Sequence, residues 1–221
     1  QSAWQPPVYW ASVVGPVVYL IGFCLLLMAG SRLRKIYGFA TTVNVLAFFV
    51  LAGGFLQAVS GLIQLYGGPE WLSFWAEKQS FKHGIMGNAM QQNHFADHVM
   101  LGLVAGIYLH AAGKLRTYAS VILVLAILPA LALSASRSVI AYFLILITFS
   151  FIWWQLCRRE HHEDATLLRK LLVTTGLLFI GFGLLQWLLP ILNDMLSLHS
   201  VTTMDRVEDI IEGEVSGIGV R

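Results

Sequence analysis

Long runs of apolar residues, separated by short polar segments, dominate this chain. Six of them lie at about 8–29, 38–66, 89–112, 118–133, 139–156 and 171–192. A helix crossing a bilayer takes about 20 apolar residues, so each run predicts one spanning helix. The runs show little amphipathic periodicity. That suits lipid, where a helix can be apolar on every side because water faces none of them. Trp4, Pro6, Pro7, Tyr9 and Trp10 open the first run with aromatics and prolines, as expected at a membrane–water interface. The pattern predicts an all-α fold, a polytopic bundle of about six transmembrane helices over residues 1–192. Residues 193–221 then begin a loop outside the membrane.

Composition narrows the class. Of 221 residues, 57% are hydrophobic and only 12% charged, about half the charged share of a soluble domain. Mean hydropathy is +0.71. Such a chain cannot make the charged skin of an ordinary cytoplasmic enzyme, and it is too apolar to stay disordered. A net charge of +2 is too small for a phosphate-neutralising surface, which excludes a nucleic-acid partner. Cys24 and Cys157 lie in or beside apolar runs and form neither a disulfide framework nor a metal-binding spacing. No basic segment precedes an apolar one at the start, so no signal peptide is expected. The chain is expected to be a piece of a longer protein.

The basic residues orient the bundle. Arg32, Arg34 and Lys35 fall between runs one and two, Lys114 and Arg116 between three and four, and Arg158, Arg159, Arg169 and Lys170 between five and six. These are nine of the 14 Lys and Arg residues. The positive-inside rule puts them in the cytoplasm, with both chain ends outward. On the outward side, 67–87 carries Pro69, Trp71, Phe74 and Trp75 and is expected to lie at the interface. The segment 193–221 is polar and acidic; Thr202-x-x-Asp205 predicts the cap of a short helix running to about Glu212.

Polar groups inside spanning segments are costly, and each requires an account. The densest group is Gly87-Asn88-Ala89-Met90-Gln91-Gln92-Asn93-His94-Phe95-Ala96-Asp97-His98, opening the third helix at its outward end. A helix start presents unpaired N–H groups and a partial positive charge, which favour an anion. Gln92, Asn93 and His94 add side-chain donors. The same cluster can instead be a polar cap satisfied by neighbouring helices. A metal site on His94 and His98, one helical turn apart, is disfavoured because Asp97 is the one nearby carboxylate and H-E-x-x-H is absent.

A second polar island is Ser134-Ala135-Ser136-Arg137-Ser138, joining runs four and five. Arg137 is the lone charge between Arg116 and Arg158. It either snorkels to the headgroups or holds phosphate oxygens with its planar fork, aided by the serines. The chain closes on Gly217-Ile218-Gly219-Val220-Arg221. The acidic run before it reads as a solvated helix face, since its spacing matches no calcium loop.

In this order, these pieces resemble the bacterial O-antigen ligase family, which includes the pilin-type O-oligosaccharyltransferases and the Wzy-type O-antigen polymerases. The resemblance rests on Gly87-Asn88-x-x-x-Gln92-Asn93-His94-Phe95-Ala96, on Leu133-Ser134-x-Ser136-Arg137-Ser138 and on Gly219-Val220-Arg221, and covers about residues 38 to 221. The Gln-Asn-His-Phe-Ala variant looks most like the pilin-type ligases. Ser138 stands where the family often has glycine or threonine.

The resemblance implies a multi-pass glycosyltransferase of the bacterial inner membrane with its active side periplasmic. It would move a glycan from an undecaprenyl diphosphate carrier to a hydroxyl of lipid A core or a pilin-like protein, with no cofactor and no metal. Arg137 falls on a family arginine that grips the donor diphosphate, with Gln92, Asn93 and Ser136 beside it. Arg221 falls on the family's loop arginine, assigned here with His94 to catalysis. The family's loop histidine has no counterpart in these 221 residues, and His199 lies on the wrong side of Arg221. Two other classes fit the same apolar pattern. Polar helix starts also build transporters and lipid flippases, though no internal repeat is visible, and a structural subunit would use the clusters as interhelical glue.

Overall fold

A computed structural model describes residues 8–72, 84–89, 91–158, 162–196, 201–205 and 207. The described residues form six long α-helices with two short 3-10 turns and no strand: α1 Val8–Tyr37, α2 Phe39–Tyr66, α3 Gln92–Ala111, α4 Thr117–Leu133, α5 Ser138–Cys157 and α6 His162–Met195. The 3-10 turns are Glu70–Leu72 and Gly87–Ala89.

Each apolar run becomes a helix, but two helices outgrow their runs. α1 continues through Arg32, Arg34 and Lys35, which are therefore helical rather than loop residues, and α6 begins nine residues before position 171. Lys, Arg, Glu and Leu are good helix formers. A helix therefore has no reason to stop where hydrophobicity stops, and Arg34 and Lys35 in the last turn of α1 complement its dipole.

Among the described residues, Phe39–Tyr66, Ser138–Cys157 and Ala165–Met195 are long and apolar enough to cross a membrane. This establishes a multi-helix, membrane-compatible all-α fold, with three helices of spanning character against the six expected. α4 has 17 residues, short of the usual span, and α3 opens on the polar cluster. In α6 only 11% of the most apolar 18-residue stretch is buried. Leu177, Ile180, Leu184 and Trp187 on α6, and Leu144, Ile145, Phe149 and Ile152 on α5, are exposed. A water-soluble monomer does not carry so much contiguous apolar surface.

The chain divides into two compact units, Gln1–Leu46 and Ala47–Arg221, with the boundary inside α2. In the first, α1 ends at Gly38, whose N–H donates to the Arg34 carbonyl at 3.0 Å, and the Arg34 guanidinium lies 5.4 Å from the Phe39 ring centre.

The second unit is built around α3, which packs against α4, α5 and α6 and buries Phe95, Val99, Leu103 and Leu109. Phe143 of α5 meets Phe179 and Phe182 of α6, with ring centres 5.4 and 5.5 Å apart. In lipid the hydrophobic effect does not drive helices together, so close packing of small residues and polar bonds must. Gly54 of α2 and Gly102 of α3 supply the first: a Cβ on Gly54 would lie 2.6 Å from the Gly102 Cα. Two backbones this close leave room for hydrogen alone.

Candidate functional site

One end of the second unit gathers the described polar side chains of the two sequence clusters, 87–98 and 134–138. The beginnings of α3 and α5 and the end of α4 meet there. The α4–α5 corner is four residues long, Ser134 to Arg137. Ser134 Oγ donates to the Leu131 carbonyl at 2.7 Å and accepts from the Ser136 N–H at 3.3 Å. This lets the chain reverse while buried. Ala135 pays with a φ of 53°, an uncommon conformation for a residue with a Cβ.

The corner is bonded to the start of α3. Ser136, 1% exposed, donates from Oγ to Asn93 Oδ1 at 2.9 Å and lies 2.8 Å from Ser138 Oγ. Positions 93 and 136, in separate sequence motifs, thus form one cluster. Arg137 follows at the start of α5 with its side chain exposed. Among the described residues no carboxylate pairs with its guanidinium.

α3 starts with its N–H groups available. Gln91 precedes the first turn in an extended conformation and makes no side-chain cap. Gln92 Nε2 is buried with no acceptor among the described residues. Leaving such a donor unmade costs about 1–3 kcal/mol.

His94 does not turn toward the corner; Asn93 takes that role. The His94 side chain is 64% exposed, and its Nδ1 lies 3.9 Å from Asp97 Oδ2. His98 shares its face, but His98 Nδ1 is 2.7 Å from the His94 carbonyl, so one ring nitrogen is already engaged. Among the described residues no group of three His, Cys, Asp or Glu side chains converges.

The segment before α3 is fastened beneath the site. Ile85 N–H donates to the Leu133 carbonyl at 3.0 Å, Gln64 Nε2 to the Gly87 carbonyl at 2.9 Å and Ser60 Oγ to Asn88 Oδ1 at 3.1 Å. With its amide oxygen turned toward them, Gln57 accepts from the N–H groups of Asn88 and Ala89. Gly87 has a φ of 53°, and a Cβ there would lie 2.6 Å from the Phe95 ring. The ring therefore seals the floor.

Four contributors lie outside the sequence motifs. Tyr142 of α5 donates to Asp97 Oδ1 at 2.6 Å, at the mouth of a groove of about 390 Å³ lined by Met100, Val104, Ile145 and Phe149. Gln57, Ser60 and Gln64 come from α2. Their one signal is that they are polar within an apolar run.

Beyond α6 the chain returns to this end. Thr203 Oγ1 donates to the carbonyls of Leu131 and Ala132 at 3.4 and 3.3 Å. Thr202 N–H donates to Asp205 Oδ2 at 2.7 Å and Asp205 N–H to Thr202 Oγ1 at 3.5 Å. That is the reciprocal cap read from the sequence. Its continuation to Glu212, along with His199, Arg206 and Arg221, lies outside the described residues, as does most of the 67–87 segment.

Comparison with known protein families, with curated proteins and with solved structures returns no match to this chain.

Proposed function

We propose that this chain is the membrane core of a glycosyltransferase that takes a glycan from a polyprenyl diphosphate and passes it to an acceptor hydroxyl, in the manner of the O-antigen ligases and protein O-oligosaccharyltransferases. The observation that carries this reading is the Ser136–Asn93 hydrogen bond, 2.9 Å long. It joins the polar start of α3 to the corner bearing Arg137.

Arg137 would hold diphosphate oxygens through its planar fork. The first-turn N–H groups of α3 and the unmatched Gln92 amide would supply further donors to the same anion. In the reaction the acceptor oxygen bonds to the anomeric carbon as the bond from that carbon to the diphosphate oxygen breaks. The diphosphate leaves with the electron pair, its growing charge stabilised by these fixed donors. The hydroxyl proton passes to a base, which the family pattern assigns to a loop histidine outside these 221 residues. His94, exposed near Asp97 and turned away from the Ser136 corner, would have to swing toward the diphosphate to orient or protonate it. Arg221 is assigned to the same site by the resemblance. With the positive-inside orientation expected from the loops, this end would lie at the periplasmic face of the inner membrane, within reach of a lipid-embedded donor and an acceptor such as lipid A core or a pilin-like protein.

The deciding experiment uses the full-length protein in vesicles with a labelled undecaprenyl-diphosphate-linked glycan and candidate acceptors. Transfer that needs Arg137 supports the proposal. Movement of lipid-linked glycan between leaflets without transfer would establish a flippase instead. A carboxylate bonded to Tyr142 beside an apolar groove is the feature that favours that second reading, because ionisable groups within the membrane mark transport paths as well as active sites.

A further inference from the structure

The opposite end of the second unit carries two adjoining cavities. One, of about 250 Å³, runs between α3, α4 and α6 and is walled by Leu103, Ile107, Val124, Ile127 and Leu178. The other, of about 660 Å³, is open and more polar than the first, with Arg169, Lys170 and Thr166 on α6. His110, Leu115, Thr117 and Thr174 line both, so the two adjoin. Arg169 and Lys170 are exposed. α4 begins at Thr117 without a side-chain cap, so its first N–H groups and the positive end of its dipole open on the same space. His110 Nδ1 is bound to Ser120 Oγ at 2.9 Å, which holds the junction of the two cavities in place.

We infer that these joined cavities form a site for one anionic glycerophospholipid. Its phosphate would sit between Arg169, Lys170 and the start of α4, and one acyl chain would run into the apolar cavity. The arrangement matches an amphiphile: cations and helix-start N–H groups at an open mouth, beside an apolar cavity. Basic pockets between helices on the cytoplasmic side bind anionic headgroups in this way, and positive-inside orientation puts this end there. A soluble anion would use the mouth and leave the slot empty; a zwitterionic lipid would use the slot and gain little from the cations. The site lies at the other end of the helices from Arg137 and does not depend on the glycosyltransferase reading.

The test titrates purified full-length protein in detergent with phosphatidylglycerol or phosphatidylcholine of identical chains, reading bound lipid by native mass spectrometry. Wild type should prefer phosphatidylglycerol by about tenfold or more, given two cations near the headgroup. Arg169→Gln/Lys170→Gln should abolish that preference. Val124→Trp, which fills the apolar slot, should weaken binding of both lipids. Arg32→Gln/Arg34→Gln removes equal charge from the same predicted face but outside the cavities, and should leave the preference intact. Equal binding of the two lipids by wild type would overturn the inference. So would an equal loss in the Arg32/Arg34 pair, which would mean diffuse surface charge. Full displacement by inorganic phosphate at constant ionic strength would show a soluble-anion site instead.

Discussion

Tyr142 donates a 2.6 Å hydrogen bond to Asp97 across the α3–α5 interface. Asp97 is the lone acidic residue of α3, and a carboxylate in a helix of this apolar setting needs a donor. Tyr142→Phe removes it while keeping the ring. It should lower stability by about 0.5–1.5 kcal/mol, read by thermal unfolding in detergent. Asp97→Asn and Tyr142→Phe together should cost less than the sum of the two, since they share one bond. Strict additivity would mean that the pair is not coupled.

Arg137 separates folding from donor binding. Its guanidinium is exposed and pairs with no described carboxylate, so Arg137→Ala should change stability by no more than about 0.5 kcal/mol. Donor binding should weaken by roughly 1.5–3 kcal/mol, the range for hydrogen bonds to a charged group. Lys should not restore it, because an ammonium lacks the bidentate fork. Wild-type transfer in both variants would leave only a snorkelling anchor.

For His94 the readout is donor affinity with and without a chelator. His94 is exposed and does not face the Ser136 corner, so His94→Ala should weaken donor binding by no more than about 1 kcal/mol. Gln keeps a donor and should cost less. Chelator should change neither. Equal damage from both variants together with chelator sensitivity would reveal a metal site.

The α2–α3 crossing predicts a contrast between two glycines one turn apart. In Gly102→Ala the new Cβ meets the Gly54 Cα at 2.7 Å, backbone that cannot yield. The helices must separate, at a cost of about 1–3 kcal/mol. In Gly106→Ala it meets only the end of the Leu51 side chain at 3.2 Å, which can rotate away. Thermal unfolding should therefore fall clearly for the first and little for the second.

Orientation can be read by labelling single cysteines after Cys24 and Cys157 are changed to serine. A cysteine at Asn88 should react with a membrane-impermeant maleimide from outside. One at Lys114 or Arg158 should react only after permeabilisation. The reverse pattern would place the Arg137 end in the cytoplasm and end the periplasmic donor reading.

Much of this protein is legible along the chain. Apolar runs in lipid have one way to satisfy their backbone, so the helices from Phe39 to Tyr66 and from Ser138 to Cys157 follow almost residue for residue. The Thr202–Asp205 cap is equally local, since both partners lie within one helical turn. Helix ends were less readable where charged helix formers continued an apolar run, as at Arg32 to Lys35. The polar clusters at 92–94 and 134–138 were visible as costly residues in apolar surroundings. Their meeting was not. That Asn93 rather than His94 faces Ser136, that Asp97 has Tyr142 as its donor, and that the cavity lined by Arg169 adjoins the one walled by Leu178 depend on how α3 is rotated between its neighbours. Gly54, Gly102 and the Phe95 ring set that rotation through packing across long sequence separations, and spacing along a single helix carries no record of it.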